Sequence, residues 1–268
     1  MSLKKFGRRR LLKNGYILQK AVARPAIEEL INEFRAAYVA ARLTRIGGDG
    51  DGGYMMPDDF DGISHCFSPG VSVTADFEEQ LARDYGVKSF MADASVDNPP
   101  MSNPLFEFDK KFLGAYDDET FMTLNSWVTQ KLGDQPGDDL VLQMDIEGAE
   151  FDVLIESSVE LLSKFRMMVI EFHEMERIFE RHGLPLVKAL FRKIHSQFAI
   201  VHVHANNFYG LAECKGVEVP PLFEVSYLRR DRLEHVATDA AVSLPHPQDC
   251  ANVPGNADVV MPDIWWRG

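Results

Sequence analysis

Cysteine is scarce. The 268-residue chain has three (Cys66, Cys214 and Cys250), widely spaced, odd in number and in no C-x-x-C pair. That argues against a disulfide scaffold and fits a reducing cytoplasm, where the protein is expected to reside. No apolar run approaches the roughly 20 residues that span a bilayer, so no membrane span is expected. Residues 1–13 are basic but lack an apolar core and a small-residue cleavage site, so secretion is not expected either. Acid is missing from residues 1–24, which hold eight Lys or Arg, while the remainder carries 20 basic against 41 acidic groups. The formal charge of −13 therefore hides a body at −21. An acidic body disfavours nucleic acid, whose phosphates want a basic face, and it tolerates cations. The basic head reads as a solvated arm or a strip docked on that body. With 46% apolar and 26% charged residues, the chain can bury a core unaided, which excludes global disorder, collagen and coiled coil.

Periodicity gives a helical lead and an alternating body. From Pro25, apolar residues Ala26, Ile27, Leu30, Ile31, Phe34, Ala37, Tyr38 and Ala41 recur every three to four positions, as in an amphipathic helix. The glycine-dense segment 45–54 can only be a loop or tight hairpin. Strands are then expected at residues 63–67, 87–92, 105–108, 140–144, 166–172, 198–204 and 222–228. Helices are expected from Thr74 or Asp76 to about Tyr85, over 118–132, from about Ala149, and over 184–196. The last two strands are joined through Gly210, Gly216, Pro220 and Pro221 with no helix, so they are most simply antiparallel. From Leu244 the tail reads as irregular coil. The pattern implies an α/β protein with an open, doubly wound sheet and one reversed strand. Residues 1–44 form a basic arm and amphipathic helix, and 45–268 the main domain.

In such a sheet, ligands sit beyond the carboxyl ends of the strands. Those ends carry Ser68-Pro69-Gly70-Val71-Ser72, then Asp93, then Asp145-Ile146-Glu147-Gly148-Ala149-Glu150, then Glu171-Phe172-His173, then His202 through Asn207. Gly70 stands without the glycine triplet of a dinucleotide site, which counts against NAD. Asp93 occupies the place where a carboxylate accepts both ribose hydroxyls, although a turn aspartate reads equally well. Alternation would point Asp145 and Glu147 to the same side. Two histidines and two amides between His202 and Asn207 exceed what a turn requires.

These residues carry a resemblance. Met144-Asp145-Ile146-Glu147-Gly148-Ala149-Glu150-Phe151-Asp152-Val153-Leu154 resembles the signature of FkbM-type S-adenosylmethionine-dependent methyltransferases. Arg45 with Asp51-Gly52-Gly53-Tyr54, the loop from Phe67 to Val71 with Asp76-Phe77-Glu78, then Glu171-Phe172-His173, His204-Ala205-Asn206-Asn207 and Pro220-Pro221-Leu222-Phe223-Glu224 are similar to its methyltransferase-like domain branch, in the same order. The resemblance covers about residues 45–260. It implies a Rossmann-like class I methyltransferase fold, with a seven-stranded mostly parallel sheet, one antiparallel strand between the fifth and sixth, and helices on both faces.

It further implies S-adenosylmethionine as cofactor and O-methylation of a small molecule or sugar. By this resemblance Asp93 takes the ribose, and Gly70 permits close approach. Gly53, Ser68, Ser72 and Asp145 complete the cofactor site, and Asp145, His173 and His204 face one acceptor pocket. A hydroxyl acceptor needs a base or a metal to lower its pKa. His173 and His204 are the candidates for base. Asp145, Glu171, His204 and Asn206 would suit a hard divalent ion, but a hydrogen-bonded cluster without metal is the preferred reading. Two alternatives stay open: a metal-dependent hydrolase on an α/β sheet, and a cofactor-binding module without catalysis, which the single-glycine loop favours. A homodimer is also left open.

Overall fold

The structure is a computed structural model and describes residues 11–71, 73–133, 139–236, 238 and 242–267. The periodic lead becomes α1 (Arg24–Ala36), with Pro25 in the first turn, where its missing N–H costs nothing. Its buried stripe is Ile27, Leu30, Ile31 and Phe34. The glycine-dense segment is the turn of a hairpin between β1 (Leu43–Ile46) and β2 (Tyr54–Pro57). Arg45 closes that turn, donating from Nε to Gly48 O at 2.9 Å and from Nη2 to Gly50 O at 3.0 Å. A Cβ on Gly53 would lie 2.0 Å from Gly48 O, so only glycine fits.

The body alternates as expected: β3 (His65–Pro69), α2 (Asp76–Tyr85), β4 (Lys88–Ala92), β5 (Phe106–Asp109), β6 (Phe112–Leu113), β7 (Phe121–Met122), α3 (Leu124–Leu132) and β8 (Leu140–Met144). There follow α4 (Glu150–Glu156), α5 (Val159–Leu162), β9 (Phe165–Phe172), α6 (Gly183–His195), β10 (Phe198–Ala205), β11 (Ala212–Cys214), β12 (Val217–Val219), β13 (Phe223–Arg229) and α7 (Leu233–Val236). Seven strands make one sheet in the order β10-β13-β9-β8-β3-β4-β5. Of these seven strands, β13 runs against the other six. Gly86 ends α2 in the left-handed conformation at φ 68°.

Alternation divides the two faces. Leu140, Leu142, Met168, Ile170 and Phe172 join one core with Phe34 of α1, Trp127 of α3, Phe151 and Leu154 of α4, and Phe191 of α6. Val141, Met167, Val169 and Val201 point the other way, into a core closed by Phe77 and Leu81 of α2 and by Tyr54 and Met56 of β2. Helices thus cover both faces. No helix among the described residues is long and apolar enough to cross a membrane.

One helix boundary differs from expectation. Residues 118–123 do not begin α3: the Asp118 carboxylate accepts the backbone N–H groups of Thr120 and Phe121, each at 2.7 Å, and makes a turn instead. Phe121 and Met122 then pair with β6, and Thr123 caps α3 by accepting the Ser126 N–H at 3.1 Å.

Candidate active site

The chain reverses its direction of winding between β3 and β8, which lie side by side at the middle of the sheet. The register sets the ends of neighbouring strands in one row. His204 pairs with Glu224, and Glu224 with Glu171. Met144 pairs with Ile170, so Asp145 follows beside Glu171. Pro69 pairs with Ala92, so Gly70 and Asp93 follow together. Gly70 is where the row is tightest. At φ 95°, a Cβ built on it would lie 1.5 Å from Asp145 O.

A cavity of about 420 Å³ opens there, lined by Gly70, Ala92, Asp93 and Ser95, by Phe112, Leu113 and Phe121 of the β6–β7 pair, and by Asp145, Ile146, Glu147 and Ala149. A smaller polar pocket of about 60 Å³ continues past Gly70 and Asp145, with Asp51, Tyr54, Thr74, Asp76, Glu78 and Gln143 in its wall. Asp93 is buried, and its Oδ1 accepts the Ser95 N–H at 2.6 Å. Ser68 is fully buried, with Oγ in hydrogen-bond contact with Gln143 Oε1 (2.6 Å) and Glu78 Oε1. It lines neither cavity, and Gly53 stands behind Gly52 in the same way. Ser72 lies outside the described residues.

Asp145 and His173 face each other, with Nε2 3.9 Å from Asp145 Oδ1. The imidazole is held from behind. Its Nδ1 is 3.0 Å from Glu150 Oε1, and that fully buried oxygen also accepts the N–H groups of Ile146 and Gly148, each at 3.1 Å. Burial raises the Asp145 carboxyl to about 7, against the lowering effect of His173 and with added repulsion from Glu147, Asp51 and Glu150. Burial pulls the His173 pKa down, but the hydrogen bond to Glu150 and the charges of Glu150, Asp145 and Glu147 more than offset it, and the net shift is upward. Glu171 is pushed well above the usual carboxylate range by burial and by the charges of Asp145, Glu224 and Asp51. Burial also lifts Glu78 to about 7, opposed by the Ser68 hydroxyl. Asp145 and Glu147 do line the same cavity and both face His173 Nε2, but strand alternation is not the cause. The strand has ended at Met144, Glu147 takes φ 56°, and its side chain is 90% exposed.

His204 belongs to a second cluster. Its Nδ1 lies 3.4 Å from Glu224 Oε2, and His202 Nε2 lies 2.9 Å from Asp249 Oδ1. Asn206 donates to Glu171 Oε1 at 3.0 Å, and Asn207 donates to Val253 O at 3.0 Å while accepting the Val253 N–H. Asn252 donates to Glu224 Oε1 at 2.7 Å. The polar excess at 202–207 thus fastens the tail across the ends of β10 and β13, a purpose the spacing alone did not reveal. Glu150 was likewise legible only as a helix-start acid. The one signal for the inner wall was Gln143, a polar residue in an apolar strand, whose Nε2 donates to Tyr54 OH at 3.2 Å.

A family model for the methyltransferase FkbM domain matches residues 64–199, just over half of the chain. The chain belongs to that family. The matched stretch of this FkbM-type chain contains Gly70, Asp93, Asp145, Glu150 and His173, and it ends before His204. No curated protein matches. Among solved structures, a human methyltransferase 10 domain containing protein is similar at 10% identity, over 85% of this chain and 99% of that chain, with a TM-score of 0.32.

Proposed function

We propose that this FkbM-type protein uses S-adenosylmethionine to methylate a hydroxyl of a small molecule or sugar. The observation that carries this reading is the meeting of Gly70, Asp93 and Asp145 in one cleft at the point where the sheet changes winding direction.

The residues fit the cofactor. Phe112, Leu113, Phe121 and Ile146 offer an apolar slot for a flat base. Asp93 gives one oxygen to Ser95, and among the described residues no protein donor meets the other, which is free for ribose hydroxyls. Gly70 has no side chain to block passage into the smaller pocket. There the acidic wall of Asp51, Asp76, Glu78 and Asp145 suits the cationic sulfur and the ammonium of the tail. When bound, the cofactor supplies a methyl group on a positively charged sulfur.

Catalysis of such a transfer is largely positioning. Asp145 stands in both cavities and beside His173, so the two are placed to hold an acceptor hydroxyl and draw its proton away. Glu150 fixes the imidazole, and the N–H groups of Ile146 and Gly148 fix Glu150. His204, behind Glu224, supports this wall rather than touching the acceptor. The test is incubation of the full chain with methyl-labelled S-adenosylmethionine and a panel of sugar and phenolic alcohols. Label in an ether product supports the reading. Cofactor bound without transfer to any acceptor would favour the non-catalytic module.

A further inference from the structure

We infer that Asp145, Glu171 and His173 form a binding site for one divalent cation of the Mn²⁺ class. One ligand atom from each lies within 4.8 Å of the other two, a span that a single ion can bridge with modest side-chain rotation. Three further features distinguish this group from an ordinary acidic patch.

Glu171 is 3% exposed, and among the described residues its buried Oε2 has no hydrogen-bond partner. Its other oxygen is fixed by Asn206 at 3.0 Å, so the carboxylate is oriented and half satisfied. A buried carboxylate oxygen without a donor is costly unless something fills the place.

The imidazole is oriented as a ligand. Metal-bound histidines usually give their second ring nitrogen to a carboxylate, which fixes the tautomer and the ring plane. Glu150 does this for Nδ1 and is itself pinned by two backbone N–H groups. The remaining nitrogen, Nε2, faces Asp145 at 3.9 Å and Glu147 at 3.6 Å, too far for hydrogen bonds.

Besides His173, the ionisable groups that act on Glu171 are the carboxylates of Asp145, Glu224 and Asp51. Asp145 and His173 keep 26% and 15% of their side chains open to solvent, which gives an ion a way in. Two carboxylates and one imidazole, with water completing the shell, suit Mn²⁺ better than Mg²⁺, which favours oxygen alone. With Asp145 and His173 as its ligands, such an ion would bind the acceptor hydroxyl and lower its pKa in place of direct proton removal by those two side chains. That role rests on the methyl-transfer reading; the binding itself does not.

The experiment is a Mn²⁺ titration of the chelator-stripped full chain, without methyl donor, read by calorimetry and by electron spin echo. The expected result is one Mn²⁺ per chain, with modulation from a directly bound imidazole nitrogen. Glu171→Gln should weaken binding at least tenfold, and His173→Gln should abolish the nitrogen signal. Because Glu171 is buried, the His173 variant carries the test if Glu171→Gln fails to fold. No stoichiometric binding, or binding with no nitrogen modulation, would overturn the inference. S-adenosylhomocysteine binding, measured separately, distinguishes its failure from failure of the cofactor reading.

Discussion

Replacing Gly70 with alanine strikes the point where two central strand ends converge. The new Cβ would lie 1.5 Å from Asp145 O, 2.7 Å from Asp145 C and 3.3 Å from Ile146 Cγ2. Reaching ordinary contact requires a retreat of about 2 Å, and neither neighbouring backbone has a flexible side chain to yield. Two hydrogen bonds cross this point, Gly70 N to Ala92 O at 2.9 Å and Asp145 N to Pro69 O at 3.4 Å. Losing both costs about 2 kcal/mol. Holding alanine near φ 95° costs roughly a further 1–2 kcal/mol. A total of about 3–4 kcal/mol lowers Tm by roughly 6–16 °C. Thermal unfolding by circular dichroism reads the stability, and calorimetry with S-adenosylhomocysteine reads the cleft, where affinity should fall below detection. A Gly70→Ala protein with unchanged Tm and unchanged affinity would refute the close-approach argument.

Two further outcomes are expected elsewhere in the chain. His204 is lifted from 6.5 to about 9: burial opposes its charge, but Glu224, Asp249 and Asp258 outweigh it. A raised folded pKa means that its stabilisation is fully present below about pH 6.5 and is lost as pH rises to about 9, by about 3 kcal/mol. Urea denaturation at both pH values should show that loss in the native protein but not in His204→Gln; an equal loss in both contradicts it. Residues 11–20 are exposed, whereas Lys215 Nζ donates to Ala21 O and Val22 N donates to Phe179 O. Removing residues 1–20 should therefore leave Tm and cofactor affinity nearly unchanged, while removing residues 1–36, and with them Phe34 among Phe191, Phe223 and Trp265, should give insoluble protein.

Strands were legible because burial on both faces writes a continuous apolar run: residues 140–144 could hardly be anything else. The reversed strand was legible from a connection whose glycines and prolines carry no helix pattern, and that connection holds the β11–β12 hairpin. Helix starts were less so, because an aspartate such as Asp118 favours a turn as readily as a cap. Gly70, Asp93 and Asp145 could be named as strand-end residues, since the fold gathers strand ends whatever the loop lengths. Which polar residues converge there was not legible. His173 and His204 look alike in sequence, and only the register puts one beside Asp145 and the other behind Glu224. Glu150, four residues from Ile146, became the histidine's anchor because the chain turns sharply through left-handed Glu147 and Gly148, a path no periodicity encodes.

The cofactor site itself is tested most directly by calorimetry of S-adenosylhomocysteine with the full chain and with Asp93→Ala. One site per chain is expected in the native protein. The variant loses two charge-assisted hydrogen bonds of about 1.5–3 kcal/mol each, so its affinity should fall by roughly 10²–10⁴-fold. Affinity unchanged in a folded Asp93→Ala protein would contradict the placement of the ribose in this cleft, and with it the proposed site.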